Sequence, residues 1–180
     1  MLQLFQKYRA VLKFILTFLG TYVVLVLLYD LYLDHYFSRG LPDLITRLVG
    51  EQTESFINSF GYDAMAAPSS MYPLMNLSVN DIFIARIIEG CNSVSLIILF
   101  LAFMLSFLGK LKPTLLYILA GMVIIYSMNV IRIGLLAIGL YEMPEHSHFL
   151  HKIAFPLVIY GTVFLLWIIW IMIYTKSSGK

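Results

Sequence analysis

The residues of this chain whose types suit them for chemistry are a cysteine, an arginine set in an apolar run, and a short cluster of histidines. Cys91 is the only cysteine and stands in Glu89-Gly90-Cys91-Asn92-Ser93. Arg132 interrupts an apolar stretch that begins at Pro113 and runs to Tyr141. His146, His148 and His151 follow shortly after it. A thiol, a guanidinium and an imidazole together suit acyl transfer: the thiolate attacks a carbonyl, the guanidinium holds the oxyanion, and the imidazole protonates the leaving amine. The elements that carry these groups decide whether they meet.

The chain has 180 residues, of which 61% are hydrophobic and 12% charged, with a mean hydropathy of +0.88. That leaves too little polar surface to cover a water-soluble globule. The apolar runs have the length of helical spans, and no alternating ten-residue pattern points to an outer-membrane barrel. The expected fold class is therefore all-α: one polytopic membrane helical bundle over residues 1–180, with four or five transmembrane helices. A short extracytoplasmic segment, an amphipathic helix with a possible hairpin, follows the first span. One cysteine excludes an internal disulfide framework. The expected surroundings are a lipid bilayer, with no nucleic acid partner.

Taken in order, the first span covers residues 14–33. Lys7, Arg9 and Lys13 precede it in the manner of a signal peptide. The run is long and lacks a small-residue cleavage site, so it reads as a retained anchor. Residues 34–88 contain no run of spanning length. Within them, Leu44, Leu48, Phe56 and Phe60 have the spacing of an amphipathic helix over Asp43 to Phe60, and the stretch around Val79-Asn80-Asp81 suits a short hairpin. A second span at 91–108 is closed by Gly109, Lys110 and Lys112. The third occupies 113–134, with a continuation to 141 left open. A loop at 142–152 then leads to a fourth span at 153–174.

Charge sign orients these spans. With both termini inside, the inner segments hold Lys7, Arg9, Lys13, Lys110, Lys112, Lys176 and Lys180, while all 10 acidic residues fall near or beyond the outer surface. This is the positive-inside pattern. It implies a multi-pass protein of the cytoplasmic (inner) membrane with cytoplasmic termini. Arg132 follows Pro113 by 19 positions and Cys91 precedes Lys110 by the same 19, about 28 Å of helix in each case. Both therefore belong at the outer boundary, facing the periplasm or exterior. His151, just before the fourth span, belongs on that side as well.

Each residue also has a plainer reading. An arginine in a membrane helix costs roughly 2.5 to 3.5 kcal/mol on insertion scales, and pairing with Glu89 or Glu142 or snorkelling to lipid phosphates would offset that. A lone cysteine is most often a small buried hydrophobe. At the start of an outer-to-inner helix, however, the dipole and free N–H groups favour a thiolate. The three histidines with Glu142 and Glu145 invite comparison with a metal site. They lack a His-Glu-x-x-His pattern, and no cofactor is expected.

Together, Glu89-Gly90-Cys91-Asn92-Ser93, Asn129-Val130-Ile131-Arg132 and His151 resemble the Cys, Asn-x-x-Arg and His motifs of the exosortase and archaeosortase family. The small size and four-span layout are similar to the exosortase F type. The resemblance covers about residues 85–167. It implies a membrane cysteine protease or transpeptidase in which Cys91 is the nucleophile, Arg132 stabilises the acyl intermediate and His151 is acid and base. Asn129, Glu89 and Asn92 are in supporting positions, and His148 is an alternative to His151. Implied substrates are exported proteins ending in a short motif, one membrane helix and a basic tail, which are cut at the motif and passed to a surface acceptor. The chain departs from the pattern at Asn92-Ser93, where many relatives have Ser-Gly, and at Lys152-Ile153-Ala154-Phe155, where many have a glycine soon after the histidine. Two rival classes are a non-catalytic membrane assembly or accessory subunit and a metal-dependent intramembrane hydrolase.

Overall fold

The computed structural model describes residues 8–107 and 111–178. Helix α1 (Arg9–Phe37) is a single 29-residue rod. Helix α2 (Leu44–Asn58) follows; it starts where Asp43 Oδ1 accepts the amides of Ile45 and Thr46 at 3.0 and 3.1 Å, an N-cap that satisfies otherwise orphaned donors. Three strands come next, β1 (Ala64–Pro68), β2 (Met75–Val79) and β3 (Ile82–Ile87). Helices α3 (Val94–Ser106), α4 (Leu111–Glu142) and α5 (Phe155–Ser178) complete the chain. A 3-10 turn, one α-turn and a π-turn (Leu150–Ala154) join α4 to α5.

The expected all-α class is corrected by the strands, which form a 3-stranded antiparallel sheet in the order β1-β2-β3. The cause lies in residues 75–79, where Met75, Leu77 and Val79 are buried and Asn76 and Ser78 between them are not. Such a period of two suits a strand with one covered face and no helix. The hairpin expected around Val79-Asn80-Asp81 is the β2–β3 connection. Asn80 and Asp81 carry it at φ of 49° and 63°, the left-handed pair that a two-residue hairpin loop requires and that Asn and Asp tolerate.

Two apolar cores divide the molecule. At the sheet end, Val49 and Ile57 of α2 and Leu77 and Val79 of β2 pack against Ile133 and Ala137 of α4. Along the rest of α4, Ile118 and Ile125 pack with Phe100 and Met104 of α3 and Ile159 and Val163 of α5. Helix α4 is thus shared: one end carries the sheet and α2, the remainder belongs to the bundle. Two glycines permit this, since a β-carbon on Gly134 would collide with the Phe56 ring of α2 and one on Gly121 with the Phe100 ring of α3.

The end of α4 is also tied to the sheet by polar contacts. Asn80 Nδ2 donates to the Tyr141 hydroxyl at 3.0 Å and the Tyr62 hydroxyl donates to Glu142 at 3.0 Å. The bond to Glu142, aided by desolvation and the carboxylate charge, holds the Tyr62 pKa above its usual value. The third apolar run is therefore one continuous helix to Glu142, because residues 134–141 have the α2–sheet layer to lie against.

Among the described residues three helices are long and apolar enough to cross a membrane: Val11–Phe37, Lys112–Glu142 and Pro156–Ile173. Their outward faces leave large side chains such as Leu16, Leu31, Leu116 and Leu157 about two-thirds exposed, at 67 to 71%, a surface that suits hydrocarbon and not water. The length and composition of these helices mark the chain as a membrane protein. Helix α3 is apolar but only 13 residues long; residue 108 of the expected second span lies outside the described residues.

Candidate active site at the junction of sheet and bundle

Strand β3 runs into a 3-10 turn, Glu89–Cys91, before α3 begins. The helix starts three residues later than Cys91, at Val94, and Asn92 is the reason. Its side chain is wholly buried and its Oδ1 accepts the Val94 amide at 3.0 Å, while its Nδ2 donates to the Tyr29 hydroxyl of α1 at 2.8 Å and to Thr46 Oγ1 of α2 at 3.1 Å. One amide thus uses three bonds to hold α1, α2 and the head of α3 together. Ser93 is forced to φ 65°, ψ 0°, a left-handed conformation that glycine adopts freely and serine only at a cost.

Cys91 is fixed from the other side by α4. Asn129, 1% exposed, donates its Nδ2 to the Cys91 carbonyl oxygen at 2.7 Å. Cys91 itself is partly buried with a free thiol and packs against the sheet-end core. Arg132 follows Asn129 by three residues, so both project from one face of α4, about 4.5 Å apart along the axis. The guanidinium lies close enough to Cys91, and to Tyr160 of α5, to interact with each electrostatically.

Arg132 has no carboxylate partner among the described residues. Its Nε is buried with no hydrogen-bond partner. Glu142, one of the two acids expected to neutralise it, instead accepts from Tyr62; Glu89, the other, lines a cavity of about 320 Å³ with Arg86 and Tyr72. A buried donor with no acceptor, within electrostatic range of a thiol, is an arrangement that an incoming anion or polarised carbonyl would complete.

The histidines occupy a different level. His146 and His148 are exposed on the turns after α4. His151 belongs to the π-turn, and its side chain lies outside the described residues. The preceding residue, Leu150, rests over Gly139, its Cδ1 3.1 Å from the place a β-carbon would take. Gly139 is seven residues beyond Arg132, about 10 Å along α4. Cys91, Asn129 and Arg132 are neighbours, Asn92 turns its side chain toward α1 and α2, and the histidine turn stands about two helical turns beyond Arg132. Among the described residues no group of three or more His, Cys, Asp or Glu side chains gathers at a point.

Sequence reasoning missed Tyr29, Thr46 and Tyr160. No spacing links residues 29, 46 and 92, and a tyrosine in an apolar helix carries no mark of its partner. No protein family, curated protein or solved structure matches the chain.

The Ser93 conformation yields a stability prediction. Ser93→Gly relieves the left-handed strain, worth about 1 kcal/mol, against a smaller cost in unfolded-chain entropy. Thermal unfolding in detergent should therefore leave the midpoint unchanged or raise it, whereas Ser93→Val should lower it.

Proposed function

We propose that the protein is a membrane cysteine protease or transpeptidase that cuts exported proteins just outside their C-terminal membrane helix. The observation that carries the reading is Arg132: a guanidinium without a carboxylate partner, one helical turn from the asparagine that pins the Cys91 carbonyl. A buried orphan donor is costly if its role is structural and useful if a reaction brings it an oxyanion. Ser93 adds support, because the left-handed residue two places after the cysteine falls where many members of the resembled family have glycine.

In this reading four spans cross the inner membrane, with both termini cytoplasmic and the sheet on the periplasmic or exterior side. The Cys91 thiolate attacks the scissile carbonyl, and its lone pair forms the C–S bond as the carbonyl π electrons move onto oxygen, beside Arg132. Collapse of that intermediate breaks the C–N bond, and the leaving amine takes a proton relayed through water from His151 or His148, on the turn that stands about 10 Å along α4 from Arg132. The substrate is left as a thioester on Cys91. An acceptor amine, or another surface nucleophile, then gives its proton to the histidine, attacks the thioester and expels the thiolate. Substrates with an extracytoplasmic motif, an apolar helix and a basic tail fit a nucleophile at the membrane boundary.

Hydroxylamine tests the thioester directly. Added to membranes containing protein and substrate, it should release the cut substrate as a hydroxamate of defined mass and free Cys91 for alkylation. Cut substrate that never carries the hydroxamate, with Cys91 equally alkylated before and after, would end the thioester mechanism.

A further inference from the structure

The two edges of the sheet are treated differently. On the β1 side, α2 closes the edge: Asn58 Oδ1 accepts the Ala64 amide at 2.7 Å, Asn58 Nδ2 donates to the Ala64 carbonyl at 3.4 Å, and Glu54 Oε2 accepts the Ala66 amide at 2.7 Å. On the β3 side, no hydrogen bond reaches the strand from beyond the sheet among the described residues. An open edge offers a row of backbone donors and acceptors to any extended chain, a hazard that proteins usually block. Here it is left open and apolar, with Ile82 and Phe83 more than half exposed.

Three further features mark the open side. Arg86 lies over the Phe83 ring at 5.8 Å and has no carboxylate partner among the described residues. Where β3 ends, Arg86, Ile88 and Glu89 line the cavity of about 320 Å³ with Phe37, Tyr72 and Leu74. The same strand then leads through the 3-10 turn to Cys91.

We infer that the free edge of β3 binds an extended polypeptide as a fourth strand, with an acidic side chain at Arg86 and an apolar one in the adjoining cavity. The inference rests on the reading of Cys91 as nucleophile and names how that site receives its substrate. Strand β3 runs from the hairpin turn toward Cys91, so a chain whose scissile carbonyl lies at Cys91 and whose preceding residues lead away from the membrane adds parallel to it. With 6 residues in β3, the docked segment is of about that length, some 20 Å of strand. Main-chain bonds supply affinity and the alternate side chains supply selectivity. A second copy of this chain is the competing occupant; Arg86 would then face the partner's Arg86 or other β3 side chains, none of them acidic.

The test places a photo-crosslinking benzoylphenylalanine at position 82 or 83, both exposed, and at position 65 on the closed edge as control, in the full-length Cys91→Ala protein in its native membrane. Adducts from 82 and 83 should exceed those from 65. Mass spectrometry should map them to residues just N-terminal to an apolar segment of about 20 residues in the captured protein. Adducts to a second copy, or equal yields at all three positions, overturn the inference. Cleavage is read separately with the nucleophile present: Arg86→Glu should slow processing of the captured protein by at least about ten-fold through like-charge repulsion, with an unchanged melting midpoint. Arg86→Glu at wild-type speed without adducts sinks the docking strand and leaves the thiol mechanism standing. Adducts to a protein that the wild type never cuts retain the docking strand and sink the thiol mechanism.

Discussion

Replacing Cys91 by alanine is expected to abolish substrate processing, by at least about a thousand-fold, without unfolding the protein. The two halves of that expectation have separate physical grounds. The bonds that fix the Cys91 turn involve its backbone: its carbonyl accepts from Asn129 and its amide donates to the Ile88 carbonyl at 2.8 Å. Alanine keeps both. What is lost is one partly buried sulfur, worth about 1 kcal/mol of transfer free energy at most. The chemistry, in contrast, has no other thiol to turn to, since the chain contains one cysteine. Serine should be equally inactive, because a hydroxyl needs a base at hydrogen-bond distance that a thiolate does not. The measurement is the ratio of uncut to cut substrate in cells expressing each variant at matched levels. Normal processing by Cys91→Ala would remove the thiol mechanism altogether, and loss of that processing to a chelator would point to the metal-dependent class.

Arg132→Lys should cost about a hundred- to a thousand-fold in kcat, the usual loss when an oxyanion donor is removed, with a smaller change in KM. A lysine keeps the charge but offers a compact ammonium in place of a planar fork of donors. The accompanying stability measurement separates this role from a structural one. Arg132 has no ionic partner among the described residues and its buried Nε is unsatisfied, so Arg132→Gln removes an uncompensated cation and should not lower the melting midpoint. Were Arg132 part of a structural ion pair, the same substitution would strand a buried carboxylate and destabilise by about 3 to 5 kcal/mol. A variant that loses both activity and stability in proportion would count against an oxyanion role.

Much of the scaffold was legible because a bilayer leaves a sequence few choices. Long apolar runs become helices, and α1, α4 and α5 lie along the runs at 14–33, 113–141 and 153–174, whereas the run at 91–108 gives a helix of only 13 residues. The α2 helix and the Asn80-Asp81 turn were likewise local signals, although the face that α2 buries carries Thr46, Val49, Thr53 and Ile57, while Leu44, Leu48 and Phe60 of the expected stripe stay exposed. The sheet as a whole was not, since strands of 5 and 6 residues give weak patterns and their pairing depends on partners far along the chain.

The residues able to do chemistry announced themselves by type and by depth: a lone thiol, and an arginine in an apolar run whose insertion cost calls for a reason. Counting helical rise from the charged ends put both at one level; the count applies to Arg132 on α4, whereas Cys91 stands in the 3-10 turn before α3, whose 13 residues span about 20 Å and not the expected ~28 Å. What no such counting reaches is lateral. Only the folded chain shows Asn129 reaching the Cys91 carbonyl, Asn92 tied to Tyr29 and Thr46, Glu142 bonded to Tyr62 about 15 Å along α4 from Arg132, and the histidine turn seated over Gly139. Depth follows from sequence position, one residue after another. Which side chains face each other across helices is decided by how apolar faces pack and where a glycine lets two elements approach, and no local pattern encodes that.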